Sequence, residues 1–236
     1  MKRRIIFFVF AFTLATSGIA QFYDTAYYHY PTGGLKAKLA LRNDTLNGSA
    51  DYYNFLGRHI MRCFYKNNLL DSICIGWYGN GNLKFKGYYK QNKPIGKWYY
   101  WYRNGVPQCI QKFDNDGQPD SSWLYWYKNR HLKAVEYYRH GKADSVWYSY
   151  YKNDSLESKI HYKADSLHGL YQEWYPNGKP SYKAVYDNGK LVGIAMEWYS
   201  NGNLTEECEN AINDYNLKKE YETKSDTTLI LPYKKK

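Results

Sequence analysis

Glu173 and Glu197 each stand directly before a Trp-Tyr pair, 24 residues apart. If the chain folds as a sheet with two strands per 24 residues, they lie ~10 Å apart on one edge, near the separation at which two carboxylates hydrolyse a glycosidic bond with inversion. That spacing follows from repetition alone, so it does not define a catalytic pair. The six histidines, His29, His59, His131, His140, His161 and His168, fall at scattered positions, and only His161 and His168 share a predicted hairpin. Such spacing builds no metal site. Gly79-Asn80-Gly81-Asn82 has the composition of a phosphate-cradling loop but lacks its third glycine. No nucleophile elbow, H-E-x-x-H, Walker loop or dinucleotide fingerprint is present. These residues describe a chain that is not an enzyme and needs no cofactor or metal.

The elements that position these residues come from an internal repeat. Trp77-Tyr78-Gly79-Asn80-Gly81, Trp101-Tyr102-Arg103-Asn104-Gly105, Trp174-Tyr175-Pro176-Asn177-Gly178 and Trp198-Tyr199-Ser200-Asn201-Gly202 are copies of one box. Weaker copies start at Trp126, followed by Tyr127, and at Tyr150; earlier ones start at His29 and Tyr53. Successive starts from 77 to 198 are spaced 24, 25, 24, 24 and 24. Each unit carries two turn signals, the Asn-Gly of the box and a polar stretch such as Gln91-Asn92-Lys93 or Asn188-Gly189-Lys190. Segments of 6 to 8 residues rich in Tyr, Trp and Val lie between them. Two short strands and two tight turns per repeat predict an all-β chain, an elongated single sheet or solenoid of consecutive antiparallel β-hairpins.

Alternation assigns the faces. Nine residues after each box start stand Lys38, Arg62, Lys86, Ile110, Val135, Lys159 and Lys183. Small or apolar residues such as Ala37, Leu39 and Leu41 interleave with them. One face should carry a basic ladder of Lys38, Arg62, Lys86, Lys159 and Lys183, either as a solvated surface or as a contact surface. The box aromatics Trp77, Tyr78, Trp101, Tyr102, Trp126, Tyr127, Trp174, Tyr175, Trp198 and Tyr199 have two readings as well. They are the packing of a thin sheet, or rows that meet a ligand.

The 24-residue period, the W/Y-Y-x-N-G box and the later Gly96-Lys97-Trp98 and Gly169-Leu170-Tyr171 resemble MORN repeats. The closest likeness is to the bacterial variant found in the YwqK-type antitoxin component family, over about residues 29 to 208. Departures are Arg130 and Asp154 at the box glycine and Leu56 at the box asparagine, where the tight turn should differ. The resemblance implies a non-catalytic sheet of hairpins used for association with proteins or membranes.

Four cysteines, Cys63, Cys74, Cys109 and Cys208, form no C-x-x-C pair. Cys63 and Cys74 flank one predicted turn symmetrically and can face each other across two strands as a disulfide. Cys109 and Cys208 are four repeats apart, roughly 40 Å at two strands per repeat, and cannot be joined. Of 13 Asp, eight precede Ser or Thr, where chance predicts about one. Turn chemistry explains such pairs. They also resemble the general O-glycosylation site of exported Bacteroidetes proteins, with Thr25, Thr45, Ser72, Ser145, Ser155, Ser166 and Thr227 as acceptors.

The first twenty residues combine Lys2-Arg3-Arg4, an apolar run from Ile5 to Leu14 and the small residues Gly18 and Ala20. That pattern is a secretory signal peptide over 1–20. The domain plan is then a cap segment 21–28, seven full repeats and a partial eighth over 29–210, and a C-terminal cap with a basic tail over 211–236. The whole chain has 33 Lys+Arg against 22 Asp+Glu, and loss of residues 1–20 leaves a net charge of +8. Nucleic acid suits that charge but not an exported location. The sequence reads as an exported scaffold for a protein partner in the cell envelope, periplasmic, outer-envelope or secreted. A glycan held by Trp/Tyr rows and an anionic membrane surface held by the basic ladder are the alternatives.

Overall fold

The computed structural model describes residues 22–193 and 195–209. The signal segment 1–20, the tail 211–236 and Thr227 lie outside the described residues. Two compact units are present, Met1–Gln118 and Pro119–Lys236. In the first, β1 (Tyr23–His29), β2 (Leu35–Arg42), β3 (Thr45–Tyr53), β4 (His59–Lys66), β5 (Leu69–Trp77), β6 (Leu83–Lys90), β7 (Lys93–Trp101) and β8 (Pro107–Phe113) pair in sequence order, every pairing antiparallel. In the second, β9 (Ser121–Trp126), β10 (Leu132–Arg139), β11 (Lys142–Ala143), β12 (Ser145–Tyr150), β13 (Leu156–Lys163), β14 (Ser166–Trp174), β15 (Pro180–Asp187), β16 (Lys190–Leu191) and β17 (Met196–Glu197) are likewise antiparallel, with β10 pairing both β11 and β12 and β15 pairing both β16 and β17. Each unit is thus the expected run of consecutive antiparallel hairpins. The cap segment forms most of β1, and the last repeat shrinks to the two-residue strands β16 and β17.

Two turn types alternate. The polar stretches are two-residue hairpin turns with both residues left-handed: Asn43 and Asp44 (φ 49 and 59), Asn67 and Asn68 (50 and 66), Gln91 and Asn92 (49 and 66). His140-Gly141, Ala164-Asp165 and Asn188-Gly189 repeat this in the second unit. Their backbone twist matches that of the flanking strands, and Asn, Asp and Gly tolerate it best. The boxes close differently. The N–H of the fifth residue donates to the carbonyl of the second, as Gly81 does to Tyr78 at 2.9 Å and Gly178 to Tyr175 at 2.8 Å.

The expected departures at Arg130, Asp154 and Leu56 do not occur. Arg130 N–H donates to Tyr127 at 3.0 Å, Asp154 to Tyr151 at 3.1 Å and Gly57 to Asn54 at 2.9 Å. Arg130 and Asp154 take φ 73 and 65, the left-handed conformation that glycine holds in the other boxes. The turn is set by the strands it joins, so a non-glycine residue accepts local strain of roughly 1–2 kcal/mol and keeps the geometry. The last turn of the first unit is also box-like. Asp114 N–H donates to Gln118 at 2.9 Å and Gly117 (φ 82) follows, in place of a two-residue turn. This is where the one 25-residue spacing falls.

The core lies on one face. Ala26, Ala37, Leu41, Ala50, Cys63, Cys74, Trp98 and Cys109 are buried in the first unit, yet no large side chain among the described residues is fully buried. Each unit is a single layer whose side chains cover one another across strands. Trp98 lies over Gly87, where a Cβ would stand 2.0 Å from the indole. Phe85 lies over Gly76, where the same atom would stand 2.3 Å from the ring. The absence of these two side chains lets the rings lie flat on the sheet.

Candidate functional site

The box tyrosines are staples between repeats. Five of the hydroxyls donate to the backbone carbonyl that opens the next box: Tyr30 to Tyr53, Tyr78 to Trp101, Tyr127 to Tyr150 and Tyr151 to Trp174 at 2.8 Å, and Tyr175 to Trp198 at 2.7 Å. The box asparagines run in parallel, Asn80 to the Arg103 carbonyl at 3.0 Å, Asn153 to Pro176 at 3.1 Å and Asn177 to Ser200 at 2.9 Å. On the opposite edge the bonds run backward. Asn68, Asn92 and Asp165 accept through their side chains from the N–H groups of Leu46, Leu70 and Ala143 at 2.7, 2.6 and 2.7 Å. The box tryptophans Trp77, Trp101, Trp126, Trp174 and Trp198 are half-buried, as is Tyr102, while Tyr199 is 50% exposed. Trp77 packs 4.7 Å from His59 and Trp101 stacks 6.1 Å from Tyr99.

The basic row is interrupted. Lys38 and Arg62 are exposed, but between them stands Asp51, 4% exposed, paired across β2, β3 and β4 with both. Its carboxylate accepts from Arg62 Nε at 2.6 Å and faces His59 Nε2 at 2.8 Å. Lys86, Lys159 and Lys183 are half-buried, flanked by Ile75 and Tyr99, by Tyr148 and Gln172, and by Gln172 and Met196.

The other face differs between the units. In the first it is aliphatic and aromatic; in the second it is a field of tyrosine, tryptophan and carboxylate. Trp123, Tyr138, Trp147 and Tyr162 form a ring ladder with successive centroids 4.7, 5.2 and 4.7 Å apart. Glu136 accepts from Tyr125 at 3.0 Å and from Tyr138 at 2.9 Å, and Glu173 from Tyr171 at 2.6 Å. Ser149 and Ser158 share a hydrogen bond of 2.8 Å, and Tyr182 and Tyr186 one of 3.1 Å. Burial, then the bond to Glu136, raises the Tyr138 phenol above its ordinary range; burial and Glu173 do the same to Tyr171. Glu173 and Glu197 flank Tyr182 in the strand register, so they are separated by a phenol rather than facing an open cleft. The sequence reading missed Glu136 as a member of this face. The signal was there in Glu136-Tyr137-Tyr138 and Tyr171-Gln172-Glu173, where the period of two puts phenol and carboxylate side by side.

A disulfide joins Cys63 and Cys74, directly opposed in β4 and β5, while Cys109 and Cys208 are buried and take no part in it. Most of the described Asp-Ser/Thr pairs sit at strand starts and turns. Thr45 and Ser166 follow two-residue turns, Ser155 follows the left-handed box residue Asp154, and Thr25 lies within β1. Ser72 and Ser145 are exposed and left-handed themselves, φ 80 and 61, at the position Gly96 and Gly169 fill in other repeats. Among the described residues no group of three His, Cys, Asp or Glu side chains is placed to hold a metal ion.

Fold and geometry define a β-hairpin repeat protein in which the recurring residues connect one repeat to the next. The family model of the MORN repeat variant matches residues 70–91, 143–164, 167–188 and 191–210. These segments are similar to MORN repeats, each centred on a box and its strands, and repeats of that family are generally binding or scaffold modules without catalytic activity. No curated protein matches the chain.

Proposed function

We propose that the chain is an exported, non-enzymatic scaffold that binds a protein partner in the cell envelope. The observation that carries this reading is the single-layer architecture, in which no large side chain among the described residues is fully buried. A sheet of this kind offers area rather than a pocket, which is how repeat proteins bind. The ring ladder of the second unit, with its carboxylates and hydroxyls, is the surface best suited to a polypeptide, because aromatic residues dominate protein interfaces. Export is supported by the signal-like segment 1–20 and by the Cys63–Cys74 disulfide, since such bonds persist in oxidising compartments. An exported chain does not suit neutralisation of a cytosolic toxin, so the antitoxin role of the resembling family is not part of this reading.

Affinity capture from the native host's envelope fraction, at low and at high salt, tests it. A stoichiometric protein retained at high salt, and lost when Trp147 and Tyr162 are replaced by Ala, is the expected result. Recovery of lipid or polysaccharide alone would overturn it.

A further inference from the structure

A cleft of ≈ 640 Å³ opens in the first unit where the hairpin turns at Asn67-Asn68 and Gln91-Asn92 stand side by side. Its size lies within the ~300–1,000 Å³ that small-ligand sites occupy. The repeat makes the space. Pairing slips between Cys63 and Tyr65 and again between Lys86 and Tyr88, so β5 and β7 bulge just after their turns. Side chains decide what the space contains.

The apolar part of the wall is Leu69, Ile95 and the Tyr88 ring; Leu69 and Tyr88 are 38% and 43% exposed, unusual for large apolar groups beside a core. Around them stand the amides of Asn67 and Gln91, the Ser72 hydroxyl and the Asp71 carboxylate. Lys66 and Lys90 also line the cleft, as do Tyr89 and Gly96; both lysines are exposed and neither has an ion-pair partner among the described residues.

The repeat shows how such a cation is neutralised elsewhere. In the repeat that starts at Trp126, Arg139 and Asp144 hold the positions of Lys66 and Asp71, and they form an ion pair of 3.6 Å. At Lys90 the acidic position is filled by Ile95, which removes that counter-ion. The surroundings reinforce the positive charge. Residues 22–118 carry thirteen Lys and Arg against six Asp and Glu, whereas residues 119–209 carry eleven against twelve. A cleft with low-dielectric walls inside a basic unit concentrates anions.

We propose that this cleft binds an acidic saccharide residue. The sugar ring lies against Tyr88, its carboxylate sits by the ammonium groups of Lys66 and Lys90, and its hydroxyls meet Asn67, Gln91, Ser72 and Asp71. A flat apolar platform ringed by many short polar side chains suits a polyhydroxylated ring, and two lysines set against the single carboxylate of Asp71 favour a negative charge on it. The site is separate from the ring ladder of the second unit and does not depend on the partner proposed for that surface.

Isothermal titration of the whole protein with tetragalacturonate, and with a neutral galactose tetrasaccharide, tests the proposal. Binding of the acidic tetramer alone is expected, weakening as salt rises. The double variant K66A/K90A should lose affinity about tenfold or more, while K36A/K97A, which removes the same charge from the same unit, should lose less than about threefold. Y88A should weaken binding with both lysines in place. Equal losses in the two double variants would reduce the effect to net charge and overturn the proposal. So would equal binding of the neutral tetramer, inorganic phosphate binding as tightly as the tetramer, or a response to vesicles of anionic phospholipid but to neither sugar.

Discussion

The hydroxyl of Tyr78 donates to the backbone carbonyl of Trp101 at 2.8 Å, across 23 residues and into the next repeat. The box tyrosine is therefore a connector before it is anything else. Replacing it by phenylalanine keeps the ring and deletes the bond. Tyr78→Phe should lower stability by about 0.5–1.5 kcal/mol, the net worth of one hydrogen bond. Urea denaturation would show a lower midpoint with an unchanged slope. An unchanged midpoint would mean the hydroxyl is not stapling.

Gly87 and Ser72 make opposite predictions about backbone space. A methyl group at Gly87 meets the Trp98 indole at 2.0 Å, so Gly87→Ala should destabilise by roughly 1–3 kcal/mol, as overpacking does. Ser72 holds φ 80 where glycine is at ease, so Ser72→Gly should stabilise by roughly 0.5–1 kcal/mol. Thermal melts of the pair should move in opposite directions.

Asp51 is the one buried carboxylate of the row shared with Lys38 and Arg62. Asp51→Ala leaves Arg62 and His59 without their acceptor and should cost about 1–3 kcal/mol. Adding Arg62→Ala to that variant should cost less than Arg62→Ala costs alone. A double-mutant cycle with no coupling would remove the pair from the account of the fold.

Tyrosine ionisation gives a pH prediction. Burial first, then neighbouring groups, raises Tyr52 and Tyr100 to about 12 and pushes Tyr138, Tyr171 and Tyr182 higher. A raised phenol pKa means the folded state holds its proton longer than the unfolded chain, whose phenols titrate near ~10. The stability these neutral phenols contribute is complete below that value and is lost as pH rises through ~10 toward 12. Absorbance at 295 nm should show the ionisation of these phenols delayed until the sheet unfolds. A single normal titration with the far-ultraviolet circular dichroism unchanged would contradict it.

The period, the hairpins and the alternation of faces were all legible, because they arise from local signals that recur. Tyr-x-Asn-Gly marks a turn wherever it stands, and a two-residue spacing puts Lys38 and Ala37 on opposite sides whatever their neighbours do. What was not legible depended on side chains meeting across strands. The box tyrosines stood open between core and contact, because a phenol's partner is a carbonyl 23 residues away that sequence does not mark. The basic ladder looked continuous because Asp51 lies on the alternate strand, outside the column that was read. The turns at Arg130 and Asp154 keep the common geometry because the strands that flank them, which local residue preference does not encode, hold them there.

The forward staples end on backbone carbonyls, of Tyr53, Trp101, Tyr150, Trp174 and Trp198. A main-chain acceptor is present whatever residue occupies the position, so the receiving repeat needs no matching side chain. One 24-residue block can then be copied, lost or exchanged by recombination without a second mutation to restore the joint. Drift is free to alter every solvent-facing position of a block while the array stays closed. The length of such a protein is an evolutionary variable, and its surface chemistry can diverge from one end to the other.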